Sequence, residues 1–426
     1  MRAETDFAPF WIYDPARPEE KCRARIVKEE DSLRLVAFNL PDDRPAFLSQ
    51  KQLACLFGDG DDPVSIWGVK VLGSLFAAFE DEVELIPDTI LVGGHFEPSA
   101  SFPTMECSIP ELHDWFQYGN FSGVDRRSDG GVFDAHYEIP PALTWSFGSG
   151  MAIQYCVFMR YSHSRTPVAR LELIQQSKFA LVPPQPVVLS ELLRYSQKFE
   201  SFVEFARDCP ATLEHVHVKS PNTGSDDLIY VMANWKKAGR QDFRNPYPLV
   251  EFWEVRDSLE TQLDRWFSLY EAIPLALDLY RESKRTSGLH VEFRFFSMVS
   301  ALESFHRTYY SPLPQTSGKP KRAPAVTLQA RLEDLVVKLG PSIQDLLKKG
   351  ECKSIADTRN YLAHQTPELK RKAVPSSELY YIYRRLTMVF EIAVLHQLGF
   401  SDEAFTRIIE RRWRAVRTGL FGEWRF

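Results

Sequence analysis

The spacing of the apolar residues changes near residue 250, and this change constrains the fold more than any other feature of the chain. Before it, runs of β-branched and aromatic residues such as SLRLVAF (32–38) and MAIQYCVFMRY (151–161) are separated by turn-forming segments such as GDGDDP (58–63). This pattern predicts short β-strands. After it, apolar residues recur at intervals of three and four, which predicts amphipathic helices. Pro274 lies within this part and predicts a kink in one of them. The sequence therefore predicts an α+β multidomain protein with a β-rich, sandwich-like first domain and an all-helical bundle as the second.

The length of the chain also indicates more than one domain. At 426 residues it exceeds the size at which a single hydrophobic core usually keeps growing. A segment at about 188–208 has helical spacing, and the strand-like runs TLEHVHVKS (212–220) and DLIYVMANW (227–235) follow it. We interpret the segment as a helical insert and expect the two runs to pair with the β-rich part. The predicted domains are residues 1–245 and residues 246–426.

The two parts differ in charge. Residues 251–426 contain 27 Lys and Arg against 22 Asp and Glu, whereas residues 1–250 contain 24 against 35. Only the second part would therefore attract a polyanion such as a nucleic acid. The same modest excess is compatible with an ordinary solvated surface, so charge alone does not decide whether a nucleic acid is a partner.

Cysteine usage and hydropathy argue against several classes of protein. The six cysteines are dispersed, with no CxxC pair and no Cys/His spacing that suits zinc. No apolar run approaches the roughly 18–20 residues that span a bilayer. The first residues, MRAETDFAPF (1–10), are too acidic and too weakly apolar for a secretion signal. We therefore predict a cytoplasmic protein with reduced thiols, no metal site and no membrane partner.

One segment of the helical part, DTRNYLAHQTP (357–367), carries an arginine in an unusual position. At 100° per residue, Arg359 shares the core-facing stripe of its helix with Ile355 and Leu362. A guanidinium group is almost never fully buried without an anionic partner. The candidate partner is Glu303, which lies at the flank of an apolar stripe on an earlier predicted helix.

The same segment places a histidine near the end of its helix. Asn360 and His364 are four residues apart and share a face roughly 100–140° from the arginine. Pro367 is expected to end the helix, so His364 lies in the last turn, where the helix dipole favours a protonated imidazole. An ordinary structural interpretation is also open, in which Arg359 is an ion-pair partner, Asn360 a local hydrogen bonder and His364 a helix C-cap.

The residues RNYLAH (359–364) resemble the Rx4–6H motif of HEPN domains. The surrounding arrangement is similar too, with an earlier helix containing ALESFHR (301–307), a long loop, the motif helix and a tyrosine-rich final long helix. The chain is similar in particular to the ApeA family of abortive-infection proteins. Its first part resembles the N-terminal domain of that family most clearly at ILVGGHFEPSASFPTMECSIPELHDWF (90–116).

This resemblance implies an anti-phage protein whose HEPN domain is a metal-independent endoribonuclease, cutting RNA by attack of the 2′-hydroxyl at a site formed in a homodimer. It implies catalytic roles for Arg359, Asn360 and His364, and supporting roles for Glu303 and Tyr361. The implied partners are an RNA substrate, with tRNA among the candidates, a second copy of the chain, and a phage-derived trigger sensed by the first domain. No cofactor is implied.

Two other functions remain as alternatives. In the first, the helical domain is a non-catalytic module for dimerisation or RNA binding, and Arg359 is structural. In the second, the β-rich domain binds a carbohydrate or a peptide and the helical part is incidental, but no residue cluster supports this reading. The intact set of arginine, asparagine and histidine favours the nuclease.

Overall fold

The computed structural model describes residues 8–29, 32–38, 40, 45–73, 82–116, 120–126, 133–148, 150–164, 170–221, 227–233, 248–286, 288–310 and 326–417. The chain divides into two compact units. The β-rich unit comprises residues 1–205 and 211–238, and the helical unit comprises residues 206–210 and 239–426. The predicted domain boundary, between residues 245 and 246, lies outside the described residues.

The strands of the β-rich unit are β1 (Phe10–Asp14), β2 (Arg17–Glu29), β3 (Ser32–Phe38), β4 (Gln52–Asp59), β5 (Val64–Gly73), β6 (Val83–Ile86), β7 (Thr89–Val92), β8 (Ser101–Phe102), β9 (Met105–Ser108), β10 (Asn120–Arg126), β11 (Phe133–Glu138), β12 (Leu143–Phe147), β13 (Met151–Ser164), β14 (Arg170–Val182), β15 (Val187–Val188), β16 (Glu214–Lys219) and β17 (Leu228–Ala233). Two helices accompany them, α1 (Pro110–Phe116) and α2 (Leu189–Arg207). The β-rich class of the first part is thus confirmed, and α2 agrees with the helical insert predicted from the sequence.

Six of these strands close into a barrel. They pair in the order β5-β4-β1-β2-β3-β6, and pairing of β6 with β5 completes the ring. Residues along each strand alternate between the barrel interior and its outer face, as a half-buried strand requires. On β3, for example, Leu33, Leu35 and Ala37 are buried in the barrel core, and the residues between them are partly exposed.

The strand pattern alone predicts a sandwich-like arrangement, but the unit is a barrel continued by an open sheet. The pairing of β5 explains this difference. One edge of β5 is shared, with β7 paired to its first half and β6 paired to its second half. The break falls at Gly68, whose φ of 63° is in the left-handed region that favours glycine. A side chain there would also collide with the carboxylate of Asp88. Such a change of partner within one strand leaves no periodic signal in the sequence.

Beyond β7 the sheet continues in the order β17, β16, β9, β14, β13 and β12. The two strands that follow α2 therefore pair with the β-rich part, as predicted. Aromatic side chains attach α1 and α2 to this sheet. Trp115 on α1 lies 5.8 Å from Phe202 on α2, and Phe199 on α2 lies 4.9 Å from Phe179 on β14, measured between ring centroids.

The second unit is helical, as predicted. Its helices are α3 (Phe252–Val255), α4 (Leu259–Ala272), α5 (Pro274–Arg285), α6 (Val291–Tyr309), α7 (Leu328–Leu339), α8 (Cys352–His364), α9 (Pro367–Lys370), α10 (Ser376–Leu398) and α11 (Asp402–Arg417). Pro274 does not kink a helix, because it is the first residue of α5. The fixed φ of proline suits that position, and its missing N–H is not needed there.

Helix α6 occupies the centre of the helical unit and packs against α5, α7, α8 and α10. Its predicted apolar stripe is the core, since Phe295, Met298, Leu302 and Phe305 are all fully buried. A neighbouring flank of α6 carries Glu303 and His306, which contact Arg359 on α8 and Asp334 on α7. In the described part of the chain, no helix is both long enough and apolar enough to cross a membrane.

Candidate active site

The motif helix α8 is fixed at its beginning by an ion pair with α10. Both oxygens of Glu351, the residue before α8, accept hydrogen bonds from the Arg385 guanidinium, at 3.1 to 3.2 Å. Burial by itself raises the pKa of Glu351. The hydrogen bonds from Arg385 and from the backbone N–H of Lys348 lower it by more, so the pKa lies below its ordinary value of 4.5. The pair therefore stabilises the fold when Glu351 is ionised.

This ion pair predicts an acid-dependent stability. A carboxyl whose pKa is lowered by folding stabilises the protein above its unfolded pKa, and that contribution is lost as the pH falls through the folded pKa. We expect Glu351→Gln to lower the Tm at about pH 7 by about 1–3 °C, a modest amount because the carboxylate is one-third exposed. The difference from wild type should disappear as the pH falls through the lowered folded pKa of Glu351. Thermal unfolding at neutral pH and at strongly acidic pH measures it.

The matched control is Glu368→Gln, which removes an exposed carboxylate with no ion pair among the described residues. That variant should unfold like the wild type at both pH values. A Glu351→Gln variant whose deficit persisted undiminished in acid would show that the ion pair is not the source of the stabilisation.

Further along α8, a buried threonine fastens the helix to the segment that leads into α10. The Thr358 hydroxyl donates to the carbonyl of Ser354 (2.6 Å) and accepts from the backbone N–H of Val374 (2.9 Å). The next residue is Arg359, whose backbone position is therefore held from two sides.

The Arg359 side chain lies in a polar niche between α8 and α6. Its Nη2 donates to Glu303 Oε2 at 3.2 Å, and its Nη1 donates to the side-chain oxygen of Asn360 at 3.1 Å. The guanidinium carbon lies 5.8 Å from the centre of the Phe296 ring, within the range of a cation–π contact. Glu303 is thus the partner of Arg359 that the helical periodicity suggested. The arginine side chain as a whole is 27% exposed, although its Nε is buried and makes no hydrogen bond among the described residues.

The predicted apolar stripe of α8 is only partly buried. Ile355 is fully buried, but Leu362 and Tyr361 are half-buried. Tyr361 contributes its backbone carbonyl to the helix end, where it accepts from the N–H of Gln365 at 2.7 Å. The supporting role predicted for the Tyr361 phenol therefore remains a prediction.

His364 is the last residue of α8 and is exposed. Within the described part of the chain its imidazole makes no hydrogen bond or ion pair, so both ring nitrogens are accessible to a ligand. The C-cap is not His364 but Gln365, which adopts the left-handed conformation with φ 53°. Pro367 does not terminate α8 either, since it begins the short helix α9. Placement of His364 in the last turn is as predicted.

A second group of polar residues, which the sequence did not predict, lies beside Glu303. The side chain of His306 on α6 is almost completely buried, and it bridges Asp334 and Arg331 on α7. Arg331 is also buried, and its Nε lies 4.0 Å from Glu303 Oε1. The spacing of three residues between Arg331 and Asp334 puts them on one flank of α7. That signal is available in the sequence, but it does not say which helix the flank faces.

Other reactive groups in the described part of the helical unit are less accessible. Cys352, at the beginning of α8, is buried, and this burial raises the pKa of its thiol to about 11. It is therefore a neutral thiol near pH 7, which is a poor nucleophile. No group of three or more His, Cys, Asp or Glu residues within the described ranges could hold a metal ion.

Comparison with known families then identifies the chain. A family model described as ApeA N-terminal domain 1 matches residues 9–266, which is more than half of the chain. The chain belongs to the ApeA family. A second model, described as Apea-like HEPN, matches residues 296–404, which include Glu303 and all of α8. No curated protein and no solved structure matches the chain.

Both parts of the resemblance predicted from the sequence are therefore confirmed, the ApeA family for the chain and a HEPN domain in its second part. The two domains are those of an anti-phage defence protein with a HEPN module. The HEPN domain is in general a ribonuclease fold. In this ApeA-family chain, the residues that resemble the HEPN motif, Arg359 and His364, lie on α8 within the matched range.

Proposed function

We propose that this chain is an abortive-infection protein whose HEPN domain cleaves RNA without a metal ion, after the β-rich domain has sensed an infection trigger. The observation that supports this most is the pair of functional groups on α8. Arg359 is oriented by Glu303 and Asn360 while its side chain stays partly exposed, and His364 is exposed at the end of the same helix. A cation that can bind phosphate and a side chain that can accept or donate a proton are the two components required for RNA cleavage.

In the proposed reaction the RNA supplies its own nucleophile. The 2′-oxygen attacks the adjacent phosphorus, its proton passes to a base, and the bond from phosphorus to the 5′-oxygen breaks as that oxygen takes a proton. The products are a 2′,3′-cyclic phosphate and a 5′-hydroxyl. His364 acts as the base or the acid. Arg359 binds the phosphate through two parallel N–H groups and stabilises the charge that accumulates on it in the transition state.

Asn360 has a positioning role in this scheme. Its side-chain oxygen accepts from Arg359 Nη1, and its amide N–H groups make no hydrogen bond among the described residues, so they can donate to the phosphate or to His364. Neither the asparagine nor the arginine side chain can accept the proton of the 2′-hydroxyl, because the arginine carries donors only and a neutral amide is a very weak base. The role of base or acid is therefore assigned to His364.

A second copy of the chain would complete the site. On one straight helix, residues five apart are separated by about 140° and about 7.5 Å along the axis. Arg359 and His364 of one copy are therefore badly placed to meet at one phosphate, and two α8 helices brought together would place both groups around it. We expect a homodimer through the helical domain. Light scattering of a sample assayed at the same concentration tests this, and an active monomer at micromolar concentration would contradict it.

The competing function is a non-catalytic module for dimerisation or RNA binding. The ion pair between Arg359 and Glu303 favours it, because a purely structural arginine would make the same contact. An exposed histidine at a helix end is also common in proteins without catalytic activity. The two functions predict different toxicity and different protection against phage when both motif residues are replaced.

We expect the Arg359→Ala/His364→Ala double variant to lose toxicity on overexpression and to lose protection against phage. The physical reason is that it lacks both the phosphate-binding cation and the proton-transfer group, while its other contacts are retained. Cell survival and phage plating are the measurements, with equal protein abundance verified. His396→Ala, which removes another exposed histidine in the last turn of a helix, is the matched control. Toxicity or protection equal to wild type in the double variant would favour the non-catalytic module.

A further inference from the structure

Glu303 is surrounded by three guanidinium groups from three helices. Arg307 on α6 donates to its Oε1 at 2.5 Å, and Arg359 on α8 donates to its Oε2 at 3.2 Å. The third is Arg331 on α7, whose Nε lies 4.0 Å from Oε1, close enough for Coulomb attraction but too far for a hydrogen bond. Three positive charges around one carboxylate leave this cluster with a net positive charge.

The three arginines differ in exposure. The Arg307 side chain is 61% exposed, that of Arg359 is 27% exposed, and those of Arg331 and Glu303 are only 11% and 12% exposed. Water and salt therefore weaken the attraction of Arg307 most and that of Arg331 least. Arg331 is therefore the least exposed of the three arginines, and Glu303 lies near it without forming a hydrogen bond.

Arg331 is held in place by a buried histidine and a carboxylate. Its Nη1 lies 3.2 Å from His306 Nδ1, and His306 Nε2 lies 2.8 Å from Asp334 Oδ2. A guanidinium group only donates hydrogen bonds, so Nδ1 of the imidazole must accept. The ring proton therefore lies on Nε2, where it is donated to Asp334. This chain of bonds fixes Arg331 independently of Glu303.

The Nε–H donor of Arg331 has no acceptor among the described residues, although the nitrogen is buried. A buried N–H without an acceptor is unfavourable. A movement of Glu303 Oε1 by about 1 Å would bring the 4.0 Å separation into hydrogen-bond range and satisfy this donor. A small displacement of the carboxylate would therefore form a hydrogen bond between Arg331 Nε and Glu303 Oε1.

We propose that Arg331 is a positioning residue that takes over the Glu303 carboxylate when a phosphate binds to Arg359. The proposal rests on the proposed function, because it concerns the site where RNA phosphate would bind. In the absence of RNA, Glu303 occupies one N–H of the Arg359 guanidinium, so a phosphate that needs two of those N–H groups competes with it. A carboxylate displaced into a buried site without a new partner would oppose binding strongly. Arg331 supplies that partner and so lowers the cost of phosphate binding.

The experiment is a double-mutant cycle on RNA affinity. The probe is a fully 2′-O-methylated RNA oligonucleotide of mixed sequence, which the proposed reaction cannot cleave, and binding is followed by fluorescence anisotropy at fixed salt. Arg331→Met should weaken binding by about tenfold, as expected for one lost charge-assisted contact. Glu303→Gln, which keeps the shape but removes the competing charge, should strengthen it. In the Glu303→Gln background, Arg331→Met should weaken binding by no more than about twofold, since there is no carboxylate to transfer.

The control is Arg307→Met, which removes the exposed arginine from the same carboxylate. It alters the net charge as Arg331→Met does, so it reports the effect of charge alone. Equal weakening by Arg331→Met with and without Glu303, or equal weakening by Arg307→Met, would overturn the proposal. Unchanged affinity in Arg331→Met would overturn it as well. Arg331→Lys is measured alongside, because it retains the charge if the methionine variant fails to fold.

A second readout separates this proposal from the nuclease activity. Inorganic pyrophosphate is titrated into the wild-type protein, and the Nε–H resonance of Arg331 is followed by NMR. A shift that saturates with pyrophosphate, and that is absent in Arg359→Ala, is expected even if no RNA is cleaved. If the shift is seen and no RNA is cleaved, the proposed nuclease activity would be wrong, but the transfer of the Glu303 carboxylate from Arg359 to Arg331 would be supported. An Arg331 resonance unaffected by pyrophosphate would overturn the exchange, whether or not the protein cleaves RNA.

Discussion

The His364→Ala variant should cleave RNA about 10²–10⁴-fold more slowly than the wild-type protein, the range that positioned proton transfer contributes. The imidazole is exposed at the end of α8 and makes no competing contact within the described residues, so its removal leaves the fold unchanged. Single-turnover cleavage with protein in excess over RNA measures the chemical step. The change should appear in the maximal rate and not in RNA affinity, because His364 is assigned to proton transfer rather than to binding.

Two further variants show whether such a loss is specific. His396→Ala should cleave at the wild-type rate, because His396 is also an exposed last-turn histidine but lies on α10. Arg359→Lys should lose activity, since an ammonium group keeps the charge and forfeits the planar two-point contact with phosphate. A His364→Ala variant that cleaves as fast as the wild type would mean that another group transfers the proton, and the role assigned to His364 would be wrong.

The parts of the site that the sequence predicted depend on short-range regularities. The position of His364 in the last turn of α8 and the partial burial of Arg359 both follow from counting residues around a helix. Pairing of Arg359 with Glu303 required one further step, the rule that a half-buried guanidinium needs an anion. The first two inferences concern a single helix, and the third pairs opposite charges on two helices. The structure agrees with all three.

Helix ends were less well predicted, because a proline can either interrupt a helix or begin one. Pro274 and Pro367 were expected to kink or end helices, and both instead begin one, at the first helical position. A proline is compatible with either side of a boundary, since its ring excludes it only from the helix interior. The residue that ends α8 is Gln365 in a left-handed conformation, and glutamine carries no sequence signal for that role.

Features that join distant segments could not be predicted. Contact of Arg331 with His306 depends on how α7 lies against α6, and the two helices are connected through residues outside the described ranges. Likewise, closure of the barrel depends on β5 changing its partner at Gly68, which local patterning does not encode. In both cases the local residues fit several arrangements, and only the packed fold selects one.

The second large effect concerns the substrate. An RNA with a single 2′-deoxy residue at the cleaved position should resist cleavage almost completely, because it lacks the oxygen that attacks phosphorus. It should bind as well as the all-ribose RNA, since the proposed contacts of Arg359 are to the phosphate. The measurement is cleavage of the matched pair of oligonucleotides in one mixture, with end-group analysis of the products of the ribose substrate. The expected ends are a 2′,3′-cyclic phosphate, or the 3′-phosphate formed from it, and a 5′-hydroxyl.

A chelator should leave this reaction unchanged. The proposed mechanism obtains its nucleophile from the substrate, its proton transfers from His364 and its charge stabilisation from Arg359, so no step requires a metal-bound water. The alternative chemistry, attack by water held on magnesium, would use the 2′-deoxy substrate equally well and would leave a 5′-phosphate. Activity that EDTA abolishes, together with 5′-phosphate ends, would therefore refute the mechanism even if the protein is a nuclease. Products with 2′,3′-cyclic phosphate ends and 5′-hydroxyl ends that form equally with EDTA would distinguish the proposed chemistry, because a water nucleophile cannot produce a cyclic phosphate.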